Sequence, residues 1–212
     1  MKTNRETWEV KLSDRQSRFL RVLVPTLAVS VFTAFLSMFL ADVFLTRALA
    51  DRRIGDYQAA ERELFWATRL NPFEPLYHRE YAALLADLSV KSLAVKEDPE
   101  MTKQSQTLAR NAGREAGRAI ELNPRNSLTL KALLKTYYSL SLYYPAFEEI
   151  TKSLGQTLLV LSPTEAHVRY STALVFAGYG KGDQAIKLVD EALRLKPDYP
   201  EALSLKETLT KK

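Results

Sequence analysis

The chain has 212 residues, a formal net charge of +5, no cysteine and seven scattered glycines. That length allows one ordinary domain with an appendage. The missing cysteines exclude disulfides, thiolate nucleophiles and zinc–thiolate sites, and so few glycines leave little room for a phosphate-cradling loop. The charge excess sits at one end. Residues 1–21 carry six basic side chains (Lys2, Arg5, Lys11, Arg15, Arg18, Arg21) against three acids, whereas from Ala48 onward 23 basic residues face 21 acidic ones. No basic face dominates the rest of the chain, which argues against nucleic acid as a partner.

Residues 1–21 read as a basic cytoplasmic tail. The segment Val22–Ala41 follows, twenty residues without a charge, bounded by Arg21 and Asp42. At ~1.5 Å per residue it covers ~30 Å, the thickness of a bilayer's hydrocarbon core. A transmembrane helix over 22–41 is expected, with Pro25 in its first turn, where a missing N–H costs little. Ala48-Leu49-Ala50 has the small-x-small form of a signal-peptide cleavage site. However, the apolar run is longer than a signal peptide's, and Arg47 lies between run and site, so an uncleaved anchor is expected. The excess of Lys and Arg before the span places the N-terminus in the cytoplasm and the remainder outside it, periplasmic or otherwise extracytoplasmic.

Thr26, Ser30, Thr33 and Ser37 are spaced four, three and four apart and share one helix face. Small and hydroxylated stripes let membrane helices approach closely. This stripe is a candidate packing face for another membrane helix or a second copy of the chain.

Beyond the span, a motif ending in proline recurs: Leu70-Asn71-Pro72, Leu122-Asn123-Pro124, Leu161-Ser162-Pro163 and Leu195-Lys196-Pro197. Three of these have alanine five and twelve residues before the proline: Ala67 and Ala60, Ala119 and Ala112, Ala192 and Ala185. A seven-residue spacing is two helical turns, so each pair marks a helix face pressed against a neighbour, and the proline ends that helix.

In these features the chain resembles the tetratricopeptide repeat, a helix–turn–helix unit of about 34 residues. Ala48, the turn Gly55-Asp56-Tyr57, Ala60, Ala67 and Pro72 match the family pattern in a unit over 41–74. Ala173, Ala185, Ala192 and Pro197 match it in a unit over 166–199, where the turn Gly180-Lys181-Gly182-Asp183 is slightly offset. Two irregular units lie between, 75–126 and 127–165. The first has a surplus near Ser89–Gln106 with Glu97-Asp98-Pro99 at its middle. Divided equally, it extends both helices into a projecting hairpin. The second has Thr151 and Leu158 where alanines are expected, and Tyr143-Tyr144-Pro145 marks a helix end and a new start. Residues 200–212 form a capping helix with Ala202, Leu203 and Leu205 inward. The expected fold is therefore all-α: one N-terminal transmembrane helix running into an α-solenoid (42–212) of about four helical hairpins plus a cap. No Gly or Pro separates Thr26 from Ile54, so span and first repeat helix form one rod.

Nothing in the sequence points to catalysis, to a cofactor or to a metal. The two histidines, His78 and His167, lie far apart, and no nucleophile elbow, Walker motif or dinucleotide pattern occurs. His78 reads as a packing residue between helices. The acidic pairs Glu148-Glu149 and Asp190-Glu191 read as solvated surface. The resemblance implies a protein partner bound along the surface lined by first helices. Carried over, its groove positions fall on Leu45, Leu49 and Arg52, then Arg79, then Lys131, Lys135 and Tyr138, then His167 and Tyr170. That groove is mildly basic and aromatic. The carboxylate clamp of chaperone-binding members is not expected, because Leu45 and Leu49 stand at its first-repeat positions. A weaker resemblance, carried by the Leu-x-Pro punctuation, is to repeat regions attached to bacterial O-antigen ligase and polymerase-type membrane proteins. The expected function is a non-catalytic, single-pass scaffold of a membrane or cell-envelope complex. The alternatives are an accessory subunit of envelope polysaccharide assembly and a homo-oligomeric structural subunit.

Overall fold

The computed structural model describes residues 14–93 and 98–211. Most of the basic tail (1–13) and the expected turn residue Glu97 lie outside the described residues. Nine α-helices and one 3-10 turn make up the described chain: α1 (Asp14–Ile54), α2 (Tyr57–Leu70), α3 (Pro75–Leu93), α4 (Pro99–Leu122), α5 (Ser127–Ser141), the 3-10 turn Pro145–Phe147, α6 (Glu148–Leu161), α7 (Ala166–Gly178), α8 (Gly182–Leu195) and α9 (Pro200–Thr210). Among the described residues there is no strand. Helices pack as consecutive hairpins, α1 on α2, α3 on α4, α5 on α6 and α7 on α8, with α9 against α8.

Local chemistry explains the boundaries. The Asp56 carboxylate accepts from the Ala59 N–H at the start of α2, and the Asn126 side chain accepts from the Thr129 N–H at the start of α5, both at 3.0 Å. Pro75, Pro99 and Pro200 open α3, α4 and α9, where an N–H has no helical partner. The seven-spaced alanines are all fully buried, Ala60 with Ala67, Ala112 with Ala119, Ala185 with Ala192, and they let second helices sit close against their neighbours.

The third hairpin lacks those alanines and solves the problem differently. Gly155 of α6 is buried, and a Cβ there would lie 2.9 Å from Thr172 Cγ2 of α7. A glycine thus supplies the close approach that alanine supplies elsewhere.

The surplus of the second unit is helical on both sides of the undescribed tip. It is divided unequally: α3 has 19 residues and α4 has 24, against 13 and 14 in α7 and α8. Asp98 and Pro99 form the start of α4. Ser89 and Ser105, both fully buried, lock the extension. The Ser105 hydroxyl donates to the Ser89 carbonyl at 2.6 Å, the Ser89 hydroxyl donates to the Ser105 carbonyl at 2.8 Å, and the Tyr144 hydroxyl joins them. His78 is buried as expected, but it is also a hydrogen-bonded hub. Its Nδ1 meets Glu115 Oε2 at 2.7 Å, and its Nε2 lies 3.1 Å from the Pro72 carbonyl, which can only accept.

Helix α1 departs from expectation in two ways. It begins at Asp14, so Pro25 lies well inside it and not in its first turn. The Pro25 nitrogen therefore leaves the Arg21 carbonyl without its helical donor. The bare apolar part also ends before Ala41. Side chains from Phe19 to Leu40 are largely exposed, Phe32 and Phe35 at 67%, but Ala41 is completely buried and the Ser37 hydroxyl donates to the Leu70 carbonyl of α2 at 2.7 Å. The stretch 37–41 packs against protein on one face. In the cap, Leu203 is 45% exposed, and Leu209 joins Ala202 and Leu205 in its place.

Candidate partner-binding groove

The first helix of each hairpin (the end of α1, then α3, α5 and α7) contributes one face to a shared surface. Arg52, Arg79 and Lys135 line a cavity of about 210 Å³ between α1, α3 and α5. Lys131, Lys135, Tyr138, His167 and Tyr170 line a second of about 340 Å³ between α5 and α7. Ala132 and Lys135 line both, so the two cavities adjoin across α5. A third, about 480 Å³, continues from Tyr170 and Leu174 onto α9 at Leu205 and Thr208.

The spacing explains the assembly. Lys131, Lys135 and Tyr138 are four and three apart on α5, and Tyr170 and Leu174 are four apart on α7, so each set forms one stripe. Leu174 and the α9 segment were not expected from the sequence. Leu174 carries a signal in hindsight, one turn beyond Tyr170, whereas α9 reads only as a cap. Leu45 and Leu49 do not line the groove. Leu45 is 8% exposed, and both pack into the core of the first hairpin.

The electrostatics are less basic than the residue list implies. Arg52 bonds Asp87 and approaches Glu80 at 3.8 Å, while Arg79 bonds Glu80 at 2.7 Å. Lys131 is held by Glu165 at 2.7 Å. Among the described residues, Lys135 has no carboxylate within 4.0 Å. It is the uncompensated cation at the junction of the two cavities. Tyr138 packs edge-on against Tyr179, with ring centroids 6.0 Å apart, and burial raises its phenol above the ordinary value. A Cβ on Gly178 would overlap the Tyr138 ring, so glycine there keeps the tyrosine seated in the groove wall. His167 is exposed and lies near Ser171 at 3.4 Å. Among the described residues no group of His, Asp and Glu could hold a metal ion. The acidic pairs are not merely solvated: Glu191 bonds Arg169 at 3.2 Å, Asp190 bonds Lys206 at 2.7 Å, and Glu148 pairs with Lys152.

Of the hydroxyl stripe on α1, three members bond their own helix. Thr26 donates to Val22 O at 2.8 Å, Ser30 to Thr26 O and Thr33 to Ser30 O at 2.9 Å. Ser37 is not on the free face, since its hydroxyl is held by Leu70.

No family model and no curated protein matches the chain. Solved structures do. The Pseudomonas aeruginosa protein PilF aligns with a TM-score of 0.59 at 18% identity, over 82% of this chain and 69% of that one. MamA from Desulfovibrio magneticus RS-1 aligns at 0.55 with 14% identity, over 81% and 89%. Another MamA structure aligns at 0.53 with 15% identity, over 84% and 87%. These neighbours are tetratricopeptide-repeat proteins. At such low identity the likeness is one of fold alone: this chain has a tetratricopeptide-repeat solenoid, entered through a long apolar N-terminal helix.

Proposed function

We propose that the chain is a non-catalytic scaffold, anchored in a membrane by α1, that binds an extended or helical protein segment along the groove of α1, α3, α5 and α7. The adjoining of the two cavities at Ala132 and Lys135 carries this reading. A groove lined by several helices, with apolar and aromatic walls and with Lys135 lacking a carboxylate partner among the described residues, suits a peptide bearing an acidic residue near its middle. The anchor reading is supported by the exposed, uncharged surface of α1 from Val22 to Leu36. A signal peptide removed at Ala48-Leu49-Ala50 fits poorly, because Ala48 is 1% exposed in the core of the first hairpin and cleavage there would halve that hairpin. The Lys and Arg excess before the span favours a cytoplasmic N-terminus and an extracytoplasmic groove.

Photocrosslinking tests the proposal. A benzophenone side chain replacing Tyr138 in the full chain should give a discrete adduct in cells, and one replacing the exposed Lys187 of α8 should not. Equal labelling at both positions, or none at Tyr138, would remove the groove from consideration. An adduct with a second copy of the chain would instead support the homo-oligomeric reading.

A further inference from the structure

The exposed face of α2 has a composition unlike that of the other second helices. Trp66 is 52% exposed and Phe65 37%, and Phe73 in the turn that follows is 73% exposed. Phe65 and Trp66 meet edge-on, with centroids 5.7 Å apart, and the Arg69 guanidinium lies 4.9 Å from the Phe65 ring centre. Arg62 is exposed one turn before Trp66. Opposite, Ala60, Leu64 and Ala67 are buried against the core, so aromatics and arginines occupy the outer face.

The height of this face is fixed by one contact. The Ser37 hydroxyl holds the Leu70 carbonyl, so the end of α2 lies beside the upper part of the apolar helix. Trp66 precedes Leu70 by one turn, ~6 Å along the axis, which sets it level with about Ala41, and Phe73 follows in the turn between α2 and α3. The cluster is thus beside the boundary between the bare, uncharged section of α1 and its first carboxylate, Asp42. Tryptophan, an apolar ring with a polar N–H edge, gathers at the membrane–water interface, phenylalanine adds apolar area beside it, and arginine is drawn to lipid phosphate. Glu61, Glu63 and Glu74 lie nearby, but among the described residues neither Arg62 nor Arg69 has a carboxylate within 4.0 Å, so both arginines face outward unpaired.

We propose that Phe65, Trp66 and Phe73, with Arg62 and Arg69, form a bilayer-interface anchor that seats the first hairpin at headgroup level. The proposal rests on the reading of α1 as a membrane span. The chain is then fastened to the lipid by two elements: a helix that crosses the bilayer and a hairpin corner that lies on it.

Tryptophan fluorescence tests this in the full chain. The sequence has two tryptophans, Trp8 and Trp66, so W8F leaves Trp66 as sole reporter. The protein is reconstituted in vesicles of phosphatidylcholine and phosphatidylglycerol, with bromine placed either near the carbonyl end or near the terminus of the acyl chains. Trp66 is expected to emit to the blue of its position in the denatured chain and to be quenched more by the shallow bromines. A second reporter, F35W in a W8F and W66F background, monitors the span and is expected to be quenched more by the deep bromines. If deep bromines quench F35W while Trp66 is untouched by lipid and open to aqueous acrylamide, the anchor proposal is overturned and the span stands. If F35W also escapes lipid quenching, the span reading falls and the anchor with it.

Discussion

The Tyr77 hydroxyl donates to the Asp42 carboxylate at 2.6 Å, joining α3 to α1 at the first charge beyond the apolar segment. Asp42 is thereby turned toward protein at the point where the helix leaves its bare section. Tyr77 is 2% exposed, so the substitution Y77F removes a buried donor without changing shape. The acceptor keeps access to water, which limits the loss to about 1 kcal/mol. Thermal unfolding of the detergent-solubilised chain should show a lower midpoint for Y77F, and an unchanged midpoint would mean that the bond contributes nothing.

Three tyrosines link the stability of the fold to alkaline pH. Burial pushes Tyr81 and Tyr137 up to about 12 from an ordinary 10.0, and burial followed by the bond to Asp42 moves Tyr77 upward as well. The neutral phenol is the form that folding favours. Its contribution is complete below about pH 10 and is lost as pH rises toward about 12. Phenolate absorbance and circular dichroism, followed together in an alkaline titration, should show these tyrosines ionising only as helix content falls.

Close approach at Gly155 predicts a specific pair effect. Gly155→Ala places a methyl 2.9 Å from Thr172 Cγ2 and should cost about 1–3 kcal/mol through overpacking. Thr172→Ser removes that methyl, so adding it to Gly155→Ala should recover stability. A double-mutant cycle in urea reads the coupling, and additive losses would rule out the contact as the cause.

Lysines of the groove should differ in their effect on binding. Lys135 stands without a carboxylate partner among the described residues, whereas Lys131 already pairs with Glu165. For a peptide recovered by crosslinking at position 138, Lys135→Glu should lengthen Kd by about tenfold or more, chiefly if the peptide is acidic. Lys131→Ala should change it much less. Calorimetry on the two variants checks the order, and a larger effect at Lys131 would place the ligand elsewhere.

Much of the architecture was written in short-range patterns. Paired alanines such as Ala60 and Ala67, followed by Leu-x-Pro, encode helix faces and stops within one unit, and the groove stripes on α5 and α7 follow from helical periodicity. Features that depend on residues far apart in the chain were not legible. The pairing of Arg52 with Asp87 spans 35 residues and turns a basic position into a neutral one. Gly155 performs the task of an alanine three positions from where the pattern looks for it, because only the approach of α7 reveals which residue must be small. Ser37 reads as part of a packing face for another membrane helix, since an apolar sequence does not say whether its neighbour is a second membrane helix or α2. The surplus around Ser89 and Ser105 was visible as length, but its division is marked by a Ser–Ser crossing between residues of two different helices, with Tyr144 of the next hairpin alongside.

The unbroken passage of α1 from its bare section into the first hairpin works as a ruler. Arg52 follows Asp42, the first charge beyond the bare section, by ten positions on one helix, which sets the mouth of the groove ~15 Å further along the rod. No linker lets that distance vary. In the membrane-anchored reading, a ligand tethered in the same bilayer reaches the groove only if its own stalk spans that height. A shorter one is refused whatever its sequence, so selection by reach precedes selection by side-chain contact.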